Sequence, residues 1–427
     1  MTGSSRCTLP STVLLALAIA LAAREARAAS GNSNRLLIPL GESEAFLGNT
    51  GVGRAIDTGA VYYNPSGLVE IQSGKVSVTG AVYMKFQTSA GGFVNFDNTN
   101  VPLKASGFNT IPATYVATRR FGDWVGALSV LVPSSLQLVN RAPFDTPTTH
   151  DNLLYNTYSN DLWFGLSLAH KVTDRLSIGL TLFGVDHSEQ YMTGFNVQFP
   201  ANPTTKLLTS MAQWSLSAFG ASATLGLAYV VNDFLRFGVR AQSPFVQITG
   251  SADTYEAENF VTNGQVQSSG EDMKGTPVNY RIPFDFSLGT AVTPAPWATI
   301  LVDVSLQLGA TYSSIPGSTF SDDENLKPTP RVNLGAEFKP TPSFPIRVGF
   351  YYDPSANGGK AGDPGYEAEN YFGVTGGIGL NSGPVQTGVG AFFLRSSGKL
   401  TPTNATGTSA SLDSTGFGVL LTTSYLL

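Results

Sequence analysis

From residue 75 onward the chain alternates apolar and polar side chains with a period of two. In the stretch from Lys75 to Phe86, Val76, Val78, Gly80, Val82, Met84 and Phe86 fall on one face, and Ser77, Thr79, Tyr83 and Lys85 fall on the other. Successive strand side chains point to opposite faces, so this period predicts a strand with one apolar and one polar face. The pattern returns in Leu162, Phe164, Leu166 and Leu168, in Leu235, Phe237, Val239 and Ala241, and in Ile300, Val302, Val304 and Leu306. It also runs through Val332, Leu334, Ala336 and Phe338. Fourteen strands are predicted near 75–87, 110–121, 124–133, 160–172, 175–187, 213–231, 234–250, 277–293, 297–311, 329–339, 345–353, 370–381, 384–396 and 413–427.

The connections alternate in length. Gly122-Asp123, Thr173-Asp174, Asn232-Asp233, Pro294-Ala295-Pro296, Pro340 to Phe344 and Ser382-Gly383 are short. The intervening gaps, such as 251–276 and 354–369, are longer and rich in Asn, Asp, Ser, Thr, Gly and Pro. A soluble β-sandwich also alternates, so the period alone does not select a membrane. Short turns at one end and long loops at the other are the pattern of an outer-membrane barrel, with the long loops expected outside the cell.

The N-terminus supports export. Arg6 precedes an eleven-residue apolar run, Val13 to Ala23, and Ala26-Arg27-Ala28 fits a small-x-small cleavage site. Cleavage there predicts a mature chain from Ala29 or Ser30, without the single cysteine, Cys7. It leaves 22 basic and 29 acidic residues, a net charge of −7 against −5 for the full chain. An acidic, sparsely charged chain argues against nucleic acid as a partner. No later run approaches the roughly 18 apolar residues of a transmembrane helix.

Residues 29–74 do not read as strands. Gly48, Gly51 and Gly53 punctuate the stretch Ala45 to Ala55, and Asn64-Pro65-Ser66 closes the next one. A segment this short lacks an independent core and needs a partner surface, for which the barrel lumen is nearest. The chain thus divides into a signal peptide (1–28), an N-terminal hatch (29–74) and a barrel (75–427).

The stretch from Ala45 to Leu68, AFLGNTGVGRAIDTGAVYYNPSGL, resembles the hatch of the FadL/TodX family of outer-membrane transporters. The family carries a Gly-rich stretch and an Asn-Pro-Ala box before its first strand; here Ser66 replaces the Ala. RVNLGAEFKP from Arg331, IRVGFYYDPS from Ile346 and LRFGVRAQSPF from Leu235 are also similar. The chain departs from many outer-membrane barrels in ending on Leu427 rather than Phe or Trp. The resemblance implies an all-β, fourteen-stranded transmembrane antiparallel barrel with the hatch in its lumen. It also implies passive uptake of long-chain fatty acids, aromatic hydrocarbons or similar lipids.

No catalytic constellation is evident. His150, His170 and His187 lie apart, without metal-ligand spacing. Gly51-Val52-Gly53 lacks the third glycine of a dinucleotide loop, because Ile56 stands there. Asp322-Asp323-Glu324 reads as a solvated loop. No enzyme activity, metal or cofactor is expected. Arg236, Arg240, Arg281, Arg331 and Arg347 fall on polar strand faces, together with Asp285, Asp303 and Glu337. Most such lumen charges should pair across the barrel. Arg236, Arg240 and Arg347 are the candidates for holding the carboxylate of an amphipathic ligand. The expected partners are a hydrophobic small molecule, outer-membrane lipid and lipopolysaccharide, and the barrel-assembly machinery, with the protein a monomer. The alternative is a general porin or structural barrel without hydrophobic selectivity.

Overall fold

The computed structural model describes residues 38–71, 74–96, 99–145, 148–202, 205–317, 323–363, 366–401 and 409–427. The expected signal peptide, and Asp322 of the acidic run, lie outside the described residues.

The strands are β1 (Lys75–Phe96), β2 (Thr99–Phe121), β3 (Trp124–Leu131), β4 (Ser135–Asp145), β5 (His150–Lys171), β6 (Leu176–Gln198) and β7 (Thr205–Val230). They continue as β8 (Leu235–Gln242), β9 (Val246–Thr262), β10 (Gln265–Pro277), β11 (Asp285–Ala295), β12 (Ala298–Gln307) and β13 (Ala310–Ser313). The last six are β14 (Asp323–Leu326), β15 (Thr329–Thr341), β16 (Phe344–Asp353), β17 (Glu367–Ser382), β18 (Val385–Leu400) and β19 (Ala410–Leu426). Neighbours pair antiparallel, and β19 returns to β1 in the register Lys75↔Leu426 to Ala90↔Leu412. The result is a closed barrel of fourteen strands. Closure removes the free edges that an open sheet exposes.

Five barrel strands are interrupted, so nineteen segments make fourteen staves. The third breaks at Val132-Pro133-Ser134, the seventh at Ser243-Pro244-Phe245, and the eighth between Pro277 and Asp285, a stretch holding Pro283. The ninth breaks at Leu308-Gly309 and the tenth at Lys327-Pro328. Proline has no N–H for the ladder, which explains its place at four of these sites. At the seventh and eighth strands, a side chain takes over from the backbone. Gln247 donates to the Val278 carbonyl (2.7 Å) and accepts from the Tyr280 amide (2.8 Å).

The polar face points inward. Ser77, Thr79, Ser167, Thr181, Ser287 and Asp303 are buried, while the alternating apolar residues are exposed. Phe108 (60%), Leu166 (60%), Leu225 (59%), Leu288 (52%) and Ile300 (49%) are typical of the outer wall. A continuous apolar surface around the whole circumference suits lipid rather than water.

The strands run further than the sequence pattern predicts. β5, β6 and β7 have 22, 23 and 26 residues. Their upper halves are rich in Ser, Thr and Asn and read as loops. Yet Tyr155, Tyr191, Phe195 and Leu208 keep turning inward at every other position and pack together. The stretch 251–276, expected as a loop, is largely the β9–β10 hairpin. Its turn is Asn263-Gly264, both with positive φ (52° and 74°), as a tight hairpin turn requires.

Candidate functional site

Residues 38–71 lie inside the barrel, where three short helical segments follow one another: Glu44–Phe46, Ala60–Tyr63 and Pro65–Glu70. Ile38, Leu40, Phe46, Val61 and Leu68 are almost wholly buried against the wall.

The sequence-selected glycines touch the wall directly. The consecutive amides of Gly51, Val52 and Gly53 converge on the Asp303 carboxylate of β12, at 2.6, 2.8 and 3.3 Å. This is a backbone nest around an anion, not a phosphate loop. The Gly48 amide donates to Thr375 Oγ1 of β17 (2.8 Å). Gly48 has a φ of 65°, and a Cβ there would come within 2.5 Å of the Phe350 backbone nitrogen. A Cβ at Gly53 would lie 2.6 Å from the backbone of Thr290.

The wall answers with glycines of its own. Gly238 of β8 pairs with Gly289 of β11, and Gly335 of β15 with Gly349 of β16. A Cβ on Gly238 would sit 1.7 Å from the Val52 carbonyl oxygen, and one on Gly349 would sit 1.9 Å from the Gly48 nitrogen. Gly179 and Gly226, paired on β6 and β7, make the same room for Pro65 and Asn64. Segment and wall therefore meet backbone to backbone.

Asn64 fixes the corner. Its side-chain amide donates to the carbonyls of Val52 (2.8 Å) and Leu227 (3.1 Å), and its oxygen accepts from the amide (3.3 Å) and hydroxyl (2.7 Å) of Ser66. Asn64 is thus the N-cap of the Pro65–Glu70 turn, and Pro65 takes the first helical position. The Ser66 hydroxyl supplies a bond that alanine would lack.

A buried acid cluster lies below. Lys75 Nζ bonds Glu42 at 2.6 Å and the Gln386 side chain at 2.8 Å. Asp57 accepts from the amides of Ser43 and Gly59, each at 3.0 Å, and from the Ser43 hydroxyl. Burial opposes ionisation of Asp57, but the hydrogen bonds and Lys75 together hold its pKa below the usual carboxylate value. No donor reaches either carboxyl oxygen of Glu44 among the described residues. Burial first, and the adjacent Asp57 charge second, raise its pKa well above the ordinary 4.5. A neutral Glu44 can donate its proton to Asp57.

Two cavities flank this segment. One, about 100 Å³, lies between its upper side and the wall and is lined by Tyr62, Pro133, Asp161, Trp163, Arg240 and Asp285 among others. Arg240 and Arg331 share Asp285 at 2.8 and 3.2 Å, and Arg331 also bonds Asp353 at 2.5 Å. Arg240 further donates to the Tyr62 carbonyl (3.1 Å) and to Gln242, and lies over the Tyr62 ring (5.2 Å). The other cavity, about 500 Å³, lies toward the short turns, where Arg347 bonds Glu337 at 2.9 Å and Arg54 bonds it at 3.2 Å. Arg236 pairs with Glu70 at 3.2 Å.

The structure therefore does not gather the three candidate arginines into one site. Each faces an acid, as the expected cross-lumen pairing implies, and only Arg240 lines the upper cavity. Arg281, expected in the lumen, is exposed on the interrupted stretch between β10 and β11, where the alternation is lost. The residues that sequence reasoning missed are Asp303 as an anchor, the wall glycines and the Glu42–Lys75 pair. A signal existed for the glycines: they recur opposite apolar positions on strand after strand.

Above the segment the lumen is aromatic. Phe93, Tyr155, Tyr191 and Trp214 contact one another in series at centroid distances of 5.4, 5.8 and 5.9 Å. Tyr62, Trp163 and Phe183 form a second series at 5.9 and 5.1 Å. Tyr62 and Trp214 pack on both large apolar clusters of the interior.

No protein-family profile matches the chain, and no curated protein sequence matches it. Solved structures do. A Pseudomonas aeruginosa FadL homologue superposes with a TM-score of 0.64 at 13% identity, over 92% of this chain and 99% of that one. The P. putida toluene transporter TodX gives 0.63 at 13%, and the Ralstonia pickettii toluene transporter TbuX 0.58 at 15%, each over the same 92% and 99%. At 13–15% identity these likenesses show the fold: the barrel of this chain is similar to those of the FadL homologue and the two toluene transporters.

Proposed function

We propose that this protein admits hydrophobic compounds across an outer membrane, with residues 38–71 as the hatch that closes its barrel. The carrying observation is the lumen: its long-loop half is packed with Phe, Tyr, Trp and Leu, and its short-turn half is filled by a segment anchored to many strands. A general porin needs a wetted polar channel instead. The toluene transporters among the similar structures support an apolar solute, and so does the absence of any free cation in the upper cavity among the described residues.

The wall supports a sideways route. Between the pairs Thr114↔Leu131 and Ser106↔Val139, one backbone bond, Val132 N to Ala113 O (2.8 Å), joins the second and third barrel strands among the described residues. Pro133 sits at this break, lines the upper cavity and accepts from the Ile38 amide (3.4 Å). An apolar solute in that cavity can leave into lipid without crossing the hatch, driven by its own gradient. Native mass spectrometry of detergent-extracted protein tests the reading, with labelled toluene and labelled fatty acid offered in competition. Saturable retention of either apolar compound supports it; retention of neither, with free passage of small sugars in reconstituted vesicles, favours the porin.

A further inference from the structure

The outer wall carries its charge unevenly. Above the apolar belt on the β18–β19–β1–β2–β4 side, Tyr83, Phe108, Phe393 and Phe417 are exposed. Their register is a single row, Phe393↔Phe417, Phe417↔Lys85 and Lys85↔Phe108. The Tyr83 ring meets those of Phe108 and Phe417 at 5.0 and 6.3 Å. Such a row marks the boundary between hydrocarbon and headgroups.

Five exposed cations accompany the row: Lys85 on β1 stands within it, and Lys104 on β2, Arg141 on β4, and Arg395 and Lys399 on β18 stand beyond it toward the long-loop end. Their chain neighbours Met84, Phe86, Leu103, Ala105, Asn140 and Leu394 are buried, so the cationic side chains face outward. None forms an ion pair among the described residues. On these strands Asp413 is the one outward acid near them, and Asp145 is held by His150 at 2.8 Å. The opposite flank carries outward acids instead, Asp186 on β6, Asp253 on β9 and Asp272 on β10, the last beside Lys274 at 3.7 Å. Adjacent strands are about 4.8 Å apart and residues about 3.4 Å along a strand, so by their register the five cations spread over roughly 20 Å in each direction, enough to face both phosphates of one headgroup.

We propose that this sector binds a phosphorylated glycolipid of the outer leaflet, the bisphosphorylated lipid A portion of lipopolysaccharide. The acyl chains lie along the apolar belt, the aromatic row meets the sugar, and the phosphates take Lys85, Lys104, Arg141, Arg395 and Lys399. Charge complementarity selects the occupant: unpaired cations just above a lipid-facing belt match anions fixed at that depth. The inference rests on the outer-membrane reading above, with the long loops outside.

The test uses the full-length protein in detergent, with binding of bisphosphorylated lipid A and of its dephosphorylated form followed by native mass spectrometry. In the variant, Lys85, Lys104, Arg141, Arg395 and Lys399 are all changed to Gln; a second variant carries Lys85→Arg, Lys104→Arg and Lys399→Arg. The expected result is at least a tenfold loss of affinity for the bisphosphorylated lipid in the first variant, with affinity kept in the second. Hydrophobic uptake should persist in both, which separates this proposal from the transport reading. Equal binding by wild type and the Gln variant, or equal binding of the two lipids by wild type, would overturn it. Displacement of the lipid by inorganic phosphate alone would also overturn it, because the site would then read a free anion rather than an anchored headgroup.

Discussion

At Asn64 one side chain makes four hydrogen bonds, two to backbone carbonyls and two from Ser66. Replacing it with Ala leaves the buried Val52 carbonyl without this partner. The seat of the hatch should weaken by about 1–3 kcal/mol, the cost of an unmet buried polar group. Gly238→Ala should act from the other side, because the new methyl would collide with the Val52 carbonyl. In both variants the barrel should keep its heat-modifiable gel migration, while the accessibility of a cysteine placed at Thr58 rises. Unchanged accessibility would show that these contacts do not hold the segment. Arg240 offers a second test. Its donors go to Asp285, Gln242 and the Tyr62 carbonyl, so Arg240→Met should impair uptake of fatty acid and uncharged hydrocarbon alike. A loss confined to fatty acid would show that Arg240 holds a carboxylate. At this scale the sequence singled out Gly48, Gly51, Gly53 and Asn64, which make contacts from the segment's side. It hid the wall side, because a glycine among polar residues of a strand looks like filler and Asp303 looks like any lumen acid. The partners lie some 250 residues apart in the chain, and no local pattern links them.

Among the elements, strands were legible wherever an apolar face met lipid. Prolines inside predicted strands, Pro133, Pro244 and Pro283, mark where the wall breaks, although alternation on both sides masks the interruption. The β9–β10 hairpin escaped because most of its exposed residues are polar on both faces, Tyr255 and Val266 apart, even though Asn263-Gly264 is a turn signal. Residues 38–71 carry their own pH dependence. Glu44 has a raised pKa in the folded protein, so its contribution to seating is fully present below the unfolded carboxylate value. That contribution falls as pH rises toward the folded value and is lost above it. Asp57 and Glu42 act on it, and a second charge beside Asp57 would be repelled. Hydrogen exchange of residues 38–71 should therefore quicken as pH rises, beyond the intrinsic base catalysis measured in an unfolded peptide, and Glu44→Gln should remove that excess. The same excess in Glu44→Gln would assign it to another group.

For the whole molecule, the count of strands and their closure follow from alternation and from the short turns, each of which returns the chain to the same end. What alternation cannot reveal is how the lumen is filled, since inward polar residues serve a water channel or a plug equally well. A barrel of fourteen strands is wide enough to conduct if left empty, because interior width grows with strand number. Residues 38–71 occupy the short-turn half, and the aromatic residues crowd the other. Deleting residues 38–70 removes the first filling and leaves every barrel strand intact. Single-channel conductance of that deletion in planar bilayers tests the central claim most directly. A stable open conductance that passes small polar solutes, against a closed wild type, is the predicted result. A deletion that folds and conducts no more than wild type would contradict the reading of this segment as the hatch.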